Sequence, residues 1–332
     1  MQSFELLRAA DRSSAIAAAS RSPTAQQGAS VRFLAGGTTL VDLMKLGVEV
    51  PDQLVDINHL GLDGIERQAD GGLRIGATAR NSDLAHHPIV QAEYAALSEA
   101  ILAGASTQLR NAATTAGNLL QRTRCVYFRD RAWACNKREP GTGCSAIGGA
   151  NRMLAILGTS EHCIATNPSD MAVAMMAYDA VVHVLGTKGE RQVAIADFFL
   201  LPGDTPDREN VLQPGELVTH VTLPRAEAGA RAAYLKLRDR ASYEFALVSA
   251  AVSVTLAGGR MTSVRFALGG VGTRPWRVPA AEASLVGQPP NEAAFRHAAD
   301  LAFAGANPQS ENGFKIELAR RCLAHALMQV TR

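Results

Sequence analysis

The sequence predicts an α+β protein of two unequal units, and three observations point to it. The first two-thirds of the 332 residues alternate short apolar runs with short helical segments. The last third presents a strand pair around Gly258-Gly259, followed by two amphipathic helical segments. Between them, Leu200 to Gly215 holds three prolines, two glycines and several charges, which reads as a surface connection with a boundary close by.

Val31–Ala35 reads as a buried strand running into Gly36-Gly37-Thr38-Thr39, and Leu40–Leu46 as an apolar helix closed by Gly47. Gln53–Asp56 is a further strand, and Gly64–Thr78 a hairpin turning through Ala69-Asp70-Gly71-Gly72. Asn81 or Ser82 is placed to cap a short helix, and Gln91–Ala103 reads as one helix ended by Gly104. Periodicity then disappears from Arg122 to Gly149, which marks an inserted loop; one of that length is expected only where function or a cross-link holds it. Order returns with a strand at Met153–Leu157, a helix from about Ser169 to Tyr178 and a strand at Ala180–Leu185. Beyond Pro224 come Ala232–Arg238, the hairpin Ala246–Leu256 with Met261–Leu268, and helices at Glu292–Ala304 and Phe314–Gln329.

Hydrophobic residues at 47% against 19% charged exclude wholesale disorder, because enough apolar surface exists to offset chain ordering. A net charge of +2 supplies no general attraction to nucleic acid. No membrane span is expected, since even Met171 to Leu185 contains Asp179 and His183, far from the roughly 18 uninterrupted apolar residues required. Glu5, Arg8, Asp11 and Arg12 occupy the place where an export signal would need an unbroken apolar run.

Four of the five cysteines, Cys125, Cys135, Cys144 and Cys163, crowd into the loop region with spacing C-x9-C-x8-C-x18-C. Those gaps exceed the paired C-x2-C of zinc ribbons, so spacing alone names no metal. Four thiolates suit a [4Fe–4S] cluster or one zinc ion; two disulfides or unrelated thiols are the alternatives. Arg122, Arg124, Arg129, Arg131, Lys137 and Arg138 surround them against only Asp130 and Glu139, which serves a negatively charged cluster, a solvated loop or a docking face alike. Tyr127, Phe128 and Trp133 lie among these charges.

Ala35-Gly36-Gly37-Thr38-Thr39 follows a strand and precedes a helix, so its backbone N–H groups can approach a diphosphate, although the pattern is not G-x-G-x-x-G and a plain turn is the simpler reading. Thr114-Thr115-Ala116-Gly117-Asn118 is a second close-approach loop. Asp170 at a helix start is placed to hold a sugar hydroxyl or to cap the first turn. Lys236 alternates with apolar neighbours as an edge-strand lysine would, and Cys322 reads as packed core. No Ser–His–Asp triad, paired-carboxylate site or H-E-x-x-H is present, which favours carrying cofactors over transforming a substrate.

Taken together, Phe33-Leu34-Ala35-Gly36-Gly37-Thr38-Thr39-Leu40, Leu109 to Leu119, Pro168-Ser169-Asp170-Met171-Ala172, Pro214-Gly215-Glu216-Leu217 and Gly269-Gly270-Val271 resemble the FAD-binding medium subunits of the molybdenum hydroxylases, the xanthine dehydrogenase and aldehyde oxidoreductase family. Gly117 to Cys125 and Cys135-Asn136-Lys137-Arg138 look like the branch whose flavin subunit also holds a [4Fe–4S] cluster, as in periplasmic aldehyde oxidoreductase. The resemblance implies a p-cresol-methylhydroxylase-type FAD-binding domain over 1–223, an iron–sulfur insertion at about 122–165, and a CO-dehydrogenase-flavoprotein-type α+β domain over 224–332. By the same likeness, Arg32, Phe33, Leu34, Ala35, Gly36, Gly37, Thr38, Thr39 and Leu40, with Thr114, Thr115, Gly117 and Asn118, would bind the FAD diphosphate and its surroundings. Asp170 would take the ribityl or adenosine side, Leu217 and Lys236 would adjoin the flavin, and Cys125, Cys135, Cys144 and Cys163 would ligate the cluster.

The function implied is an electron-transfer subunit without catalytic residues of its own. It would sit in a heterotrimer with a large molybdenum-cofactor subunit, where aldehyde becomes carboxylic acid, and a small subunit with two [2Fe–2S] clusters, and would pass electrons through FAD to an external acceptor. The periplasm is the expected compartment, reached in a folded complex with a signal-bearing partner; the cytoplasm is the alternative. A hydroxybenzoyl-CoA-reductase-like flavin subunit and a zinc-stapled non-redox scaffold are the competing readings. If the cysteine loop folds independently of the flavin site, Cys135→Ser removes the cluster and leaves the flavin.

Overall fold

The computed structural model describes all 332 residues and places the predicted α+β elements in three sheets. The first is parallel and three-stranded, β1 (Glu5–Arg8), β2 (Val31–Leu34) and β3 (Gln53–Asp56), in the order β1-β3-β2. The second has five strands, β4 (Ile65–Arg67), β5 (Leu73–Gly76), β6 (Val181–Gly186), β7 (Gly189–Ala194) and β8 (Leu217–Leu223), in the antiparallel order β4-β5-β8-β6-β7. The third, in the C-terminal unit, is β9 (Arg231–Leu237), β10 (Val248–Ala257) and β11 (Arg260–Gly269), an antiparallel meander covered by helices at Glu292–Ala302 and Phe314–Thr331. One core lies under the first two sheets and a second between the meander and its helices.

The helix Asp170–Ala177 joins the two. Every residue from Met171 to Ala177 is buried, so this helix has no solvent face, and it packs on the helix Ala95–Ala103 on one side and on β10 and β11 on the other. Gly269 permits that approach: a Cβ there would lie 2.7 Å from Val173 Cγ2.

Several local expectations are corrected. Met153–Leu157 is not a strand but a run of turns with a single bridge, Leu157 to Gly272, because its carbonyls are taken by side chains. Fully buried Lys315 donates to the oxygens of Met153, Leu154 and Gly270 at 3.0, 3.0 and 2.7 Å. The helix expected over Gln91–Ala103 breaks at Tyr94, whose ring is buried and whose hydroxyl donates to Pro224 O at 2.8 Å, leaving helices Pro88–Glu93 and Ala95–Ala103. Neither Asn81 nor Ser82 caps; Arg80 is the N-cap residue and makes no capping bond. The segment 200–215 runs over the surface through Leu201, Gly203, Asp204, Thr205 and Arg208, as expected, but Asn210, Leu212 and Gly215 then turn in to line a cleft.

His183 on β6 and His220 on β8 stack with ring centroids 4.0 Å apart. Burial, then the neighbouring His183, brings His220 down to about 4, and burial lowers His183 as well. Because folded values lie below the unfolded 6.5, the unfolded chain takes up protons first, so this contribution to stability is complete above about pH 6.5 and declines as pH falls towards 4. His220→Asn should therefore flatten the acid limb: its urea midpoint should drop less than the native one between about pH 7 and pH 5, and equal drops would assign the acid sensitivity elsewhere.

Candidate functional site

A cleft of about 230 Å³ opens between the parallel sheet, the loop after β2 and the start of β8. Arg32, Phe33, Ala35, Gly36, Gly37, Thr38, Thr39, Leu40, Thr114, Gly117 and Leu217 all line it. The loop after β2 is held open by backbone geometry: Gly37 has φ +70°, and a Cβ on Gly36 would stand 2.0 Å from Ala112 O, so only glycine lets the two loops touch. Arg80 clamps the pair by donating to Ala112 O at 2.5 Å and to Asn58 Oδ1 at 3.2 Å, and the Asn58 amide donates to Ala35 O at 3.1 Å.

The N–H groups of Gly36, Gly37, Thr38, Thr39 and Leu40 donate to no protein acceptor, although these residues are partly buried. Successive unpaired N–H groups in a concave turn form a nest for anionic oxygens. The second loop differs from expectation. Its N–H groups are already used: Thr115 donates to Ala79 O, Ala116 to Ala77 O, Gly117 to Thr114 Oγ1 and Asn118 to Thr114 O. It contributes the bare surface of Gly117 rather than donors.

Other expected residues lie outside the cleft wall. Leu34 is absent from it, and Thr115 is fully buried with its hydroxyl on Ala79 O at 3.2 Å. Asn118 Oδ1 accepts from Ser169 Oγ at 2.7 Å, and Ser169, not Asp170, caps the following helix. Asp170 instead accepts from Tyr234 hydroxyl at 2.6 Å and Lys236 Nζ at 2.8 Å, joining the two units across a nearly dry contact. Lys236 is thus on an edge strand yet turned inward, with its side chain 3% exposed. Asp170 lines an adjoining cavity of about 190 Å³ with Thr123, Arg124, Phe245 and Gly270; this cavity meets the main cleft at Thr123, Thr166, Asn167 and Pro168.

A charged floor escaped the sequence reading. Arg32 does not face the cleft as a free cation: its guanidinium donates to Ala25 O at 2.7 Å and Gln26 O at 2.6 Å and pairs with Glu49 at 2.9 Å. Arg122 pairs with Glu49 at 2.6 Å and with Glu209, and Lys137 meets Glu209 at 3.2 Å. Burial alone would raise the Glu209 carboxyl, but Arg122 and then Lys137 outweigh it and hold the group below the ordinary carboxylate range. Nothing in the local sequence around Glu49 or Glu209 marks them, because their partners stand up to 87 residues away.

The cysteine region is ordered by polar side chains rather than by regular structure. Arg138 donates to the oxygens of Tyr127, Phe128, Asp130 and Trp133, and Asn136 accepts from Gly141 N and Gly143 N. Arg122, Lys137 and Arg138 are buried while Arg131 is exposed, so the basic cluster is only in part a solvated face. Its core contains Leu43, Phe128 and Ile164 with Cys125, Cys135 and Cys163, and Cys144 packs against it. None of the five cysteines is in a disulfide, and Cys322 lies in the C-terminal core as expected. The other four line one small cavity, yet no three ligand-type side chains converge closely enough for a single metal ion. Burial pushes Cys125 up to about 12 and Cys163 upward against the pull of Lys137, so charging these sulfurs requires positive charge beside them.

Residues 2–226 match the family described as the FAD binding domain in molybdopterin dehydrogenase, and residues 232–330 the CO dehydrogenase flavoprotein C-terminal domain. The chain is 53% identical over 307 residues to the aldehyde oxidoreductase FAD-binding subunit PaoB of Escherichia coli K12, covering 92% of this chain and 93% of that one. It is 26% identical to the glyceraldehyde dehydrogenase medium chain of Sulfolobus acidocaldarius, covering 85% and 83%. Among solved structures, reconstituted CO dehydrogenase from Oligotropha carboxidovorans superposes with a TM-score of 0.78 at 24% identity, covering 99% of this chain and 98% of that one, which establishes a shared fold.

The charged floor yields a direct test. Arg122→Met leaves Glu49 with Arg32 alone and Glu209 with Lys137 alone, and should cost about 1.5–3 kcal/mol of stability by chemical denaturation. A loss below about 1 kcal/mol would mean that water already screens the network.

Proposed function

Since this chain belongs to the FAD-binding medium subunits of the molybdenum hydroxylases, we propose that it is the FAD- and [4Fe–4S]-carrying electron-transfer subunit of a heterotrimeric molybdenum-dependent aldehyde oxidoreductase. The observation that carries the flavin site is the row of five unpaired N–H groups from Gly36 to Leu40, residues that line the cleft. In this reading they hold the diphosphate, while Gly117 allows close approach and Leu217 gives an apolar wall. Phe33 and Ala35 pack beside them. Asp170 keeps lone pairs for a ribityl hydroxyl in the adjoining cavity, and Lys236 holds its carboxylate in place. Arg32 acts beneath the cleft, by fixing Glu49.

Four thiols around one cavity support a sulfur-ligated cluster. A zinc ion would draw all four sulfurs to about 2.3 Å from one point, whereas a cubane takes each thiolate at a separate corner. FAD, when bound, supplies the conversion between one-electron carriers and a two-electron acceptor. In this scheme electrons come from aldehyde oxidised at the molybdenum cofactor of a large subunit, by way of [2Fe–2S] centres in a small one, and leave to an external acceptor. The name of the Escherichia coli relative supports the aldehyde assignment. We place the complex in the periplasm, exported folded with a signal-bearing partner; fractionation separates this from the cytoplasm.

The complex purified with its partners should contain about one FAD and about four iron per copy of this chain beyond the iron of the small subunit. A chain without flavin, or with zinc in place of iron, would overturn the reading. Gly37→Val puts a branched side chain at φ +70°, 3.2 Å from Val41 Cγ2 at its Cβ, and should empty the site of most of its flavin; native flavin content in that variant would remove this loop from the site.

A further inference from the structure

Resting on the flavin and cluster assignments above, we propose that Lys137 is the positioning residue that couples the two cofactor sites. The flavin cleft and the cysteine cavity are not separate modules: Lys137, Cys163 and Ala165 line both. Lys137 lies two positions after Cys135, so its backbone is placed by one of the four clustered cysteines, and the residue is only 7% exposed. Its ammonium crosses the shared wall, donating to Pro206 O at 2.8 Å and meeting Glu209 Oε1 at 3.2 Å. Pro206 and Glu209 belong to the segment that brings Asn210 and Leu212 to the flavin cleft. A second tie runs the same way, from Ser160 Oγ to Gly203 O at 2.8 Å.

Two consequences follow from that placement. Ordering the cysteine region fixes Lys137, and Lys137 fixes the segment that closes the cleft, so the state of the sulfur site reaches flavin affinity. In a wall with little solvent, the same ammonium also favours added negative charge on a sulfur cage, while Glu209 behind it opposes that charge. Neutralising Lys137 and neutralising Glu209 should thus shift the cluster's reduction potential in opposite directions, which a simple loss of packing cannot do.

The experiment uses the intact complex carrying Lys137→Met or Glu209→Gln, with iron content, cluster midpoint potential by redox titration, and FAD dissociation by fluorescence. Both variants should keep their iron and release FAD roughly tenfold more readily. Lys137→Met should move the midpoint to more negative potential and Glu209→Gln to more positive. Unchanged potentials, shifts of the same sign, or native FAD affinity in both variants would overturn the coupling. Should Lys137→Met fail to assemble, the sign of the Glu209→Gln shift and its FAD affinity decide alone. The iron count of the native complex tests the cluster assignment separately, so the two failures are distinguishable.

Discussion

Five charged side chains, Arg32, Glu49, Arg122, Glu209 and Lys137, share one poorly solvated floor, and their mutual neutralisation is the constraint around which the cofactor region is built. Each comes from a different stretch: the first sheet, the turn after the Leu40–Lys45 helix, both flanks of the first cysteine pair, and the connection before β8. Removing such groups from water is costly unless every partner is present. These five stretches must therefore close together or not at all, which gives the cleft a single shape despite its irregular walls.

The cysteine region obeys a related logic. It has one short helix, Val126–Arg129, and little else that is regular, so its backbone polar groups need side-chain partners. Arg138 answers four carbonyls and Asn136 two N–H groups, and a small apolar core with three cysteines fills the space between. This makes the loop a wall of the neighbouring cleft rather than an appendage. A sulfur-bound cage of the kind proposed would, in that position, contribute to the architecture as well as to any electron path.

The two-unit plan, the glycine-rich turn after β2 and the gathering of four cysteines in one region were legible from sequence, because each rests on local signals: periodicity, turn chemistry and an anomalous clustering of one residue type. Where reading failed, a distant partner had overruled a local preference. Met153–Leu157 looks like a strand, but Lys315, more than 150 residues away, takes its carbonyls. Tyr94 sits in an apolar helical pattern, but burial of its ring and a bond to Pro224 break the helix there. The family likeness sets Arg32 beside the FAD, and only the fold shows that Glu49 and two carbonyl oxygens take its donors.

From sequence alone came the class of fold, the family and the residue types available for flavin and metal, since these depend on composition and on motifs short enough to be read in order. Tertiary structure alone decided which donors remain unsatisfied. It left the N–H groups of Gly36 to Leu40 unpaired while filling those of Thr115 to Asn118, turned Asp170 and Lys236 toward each other, and set Lys137 between two cavities. Hydrogen bonds and ion pairs saturate by proximity in space, and a linear sequence carries no record of which groups will be neighbours.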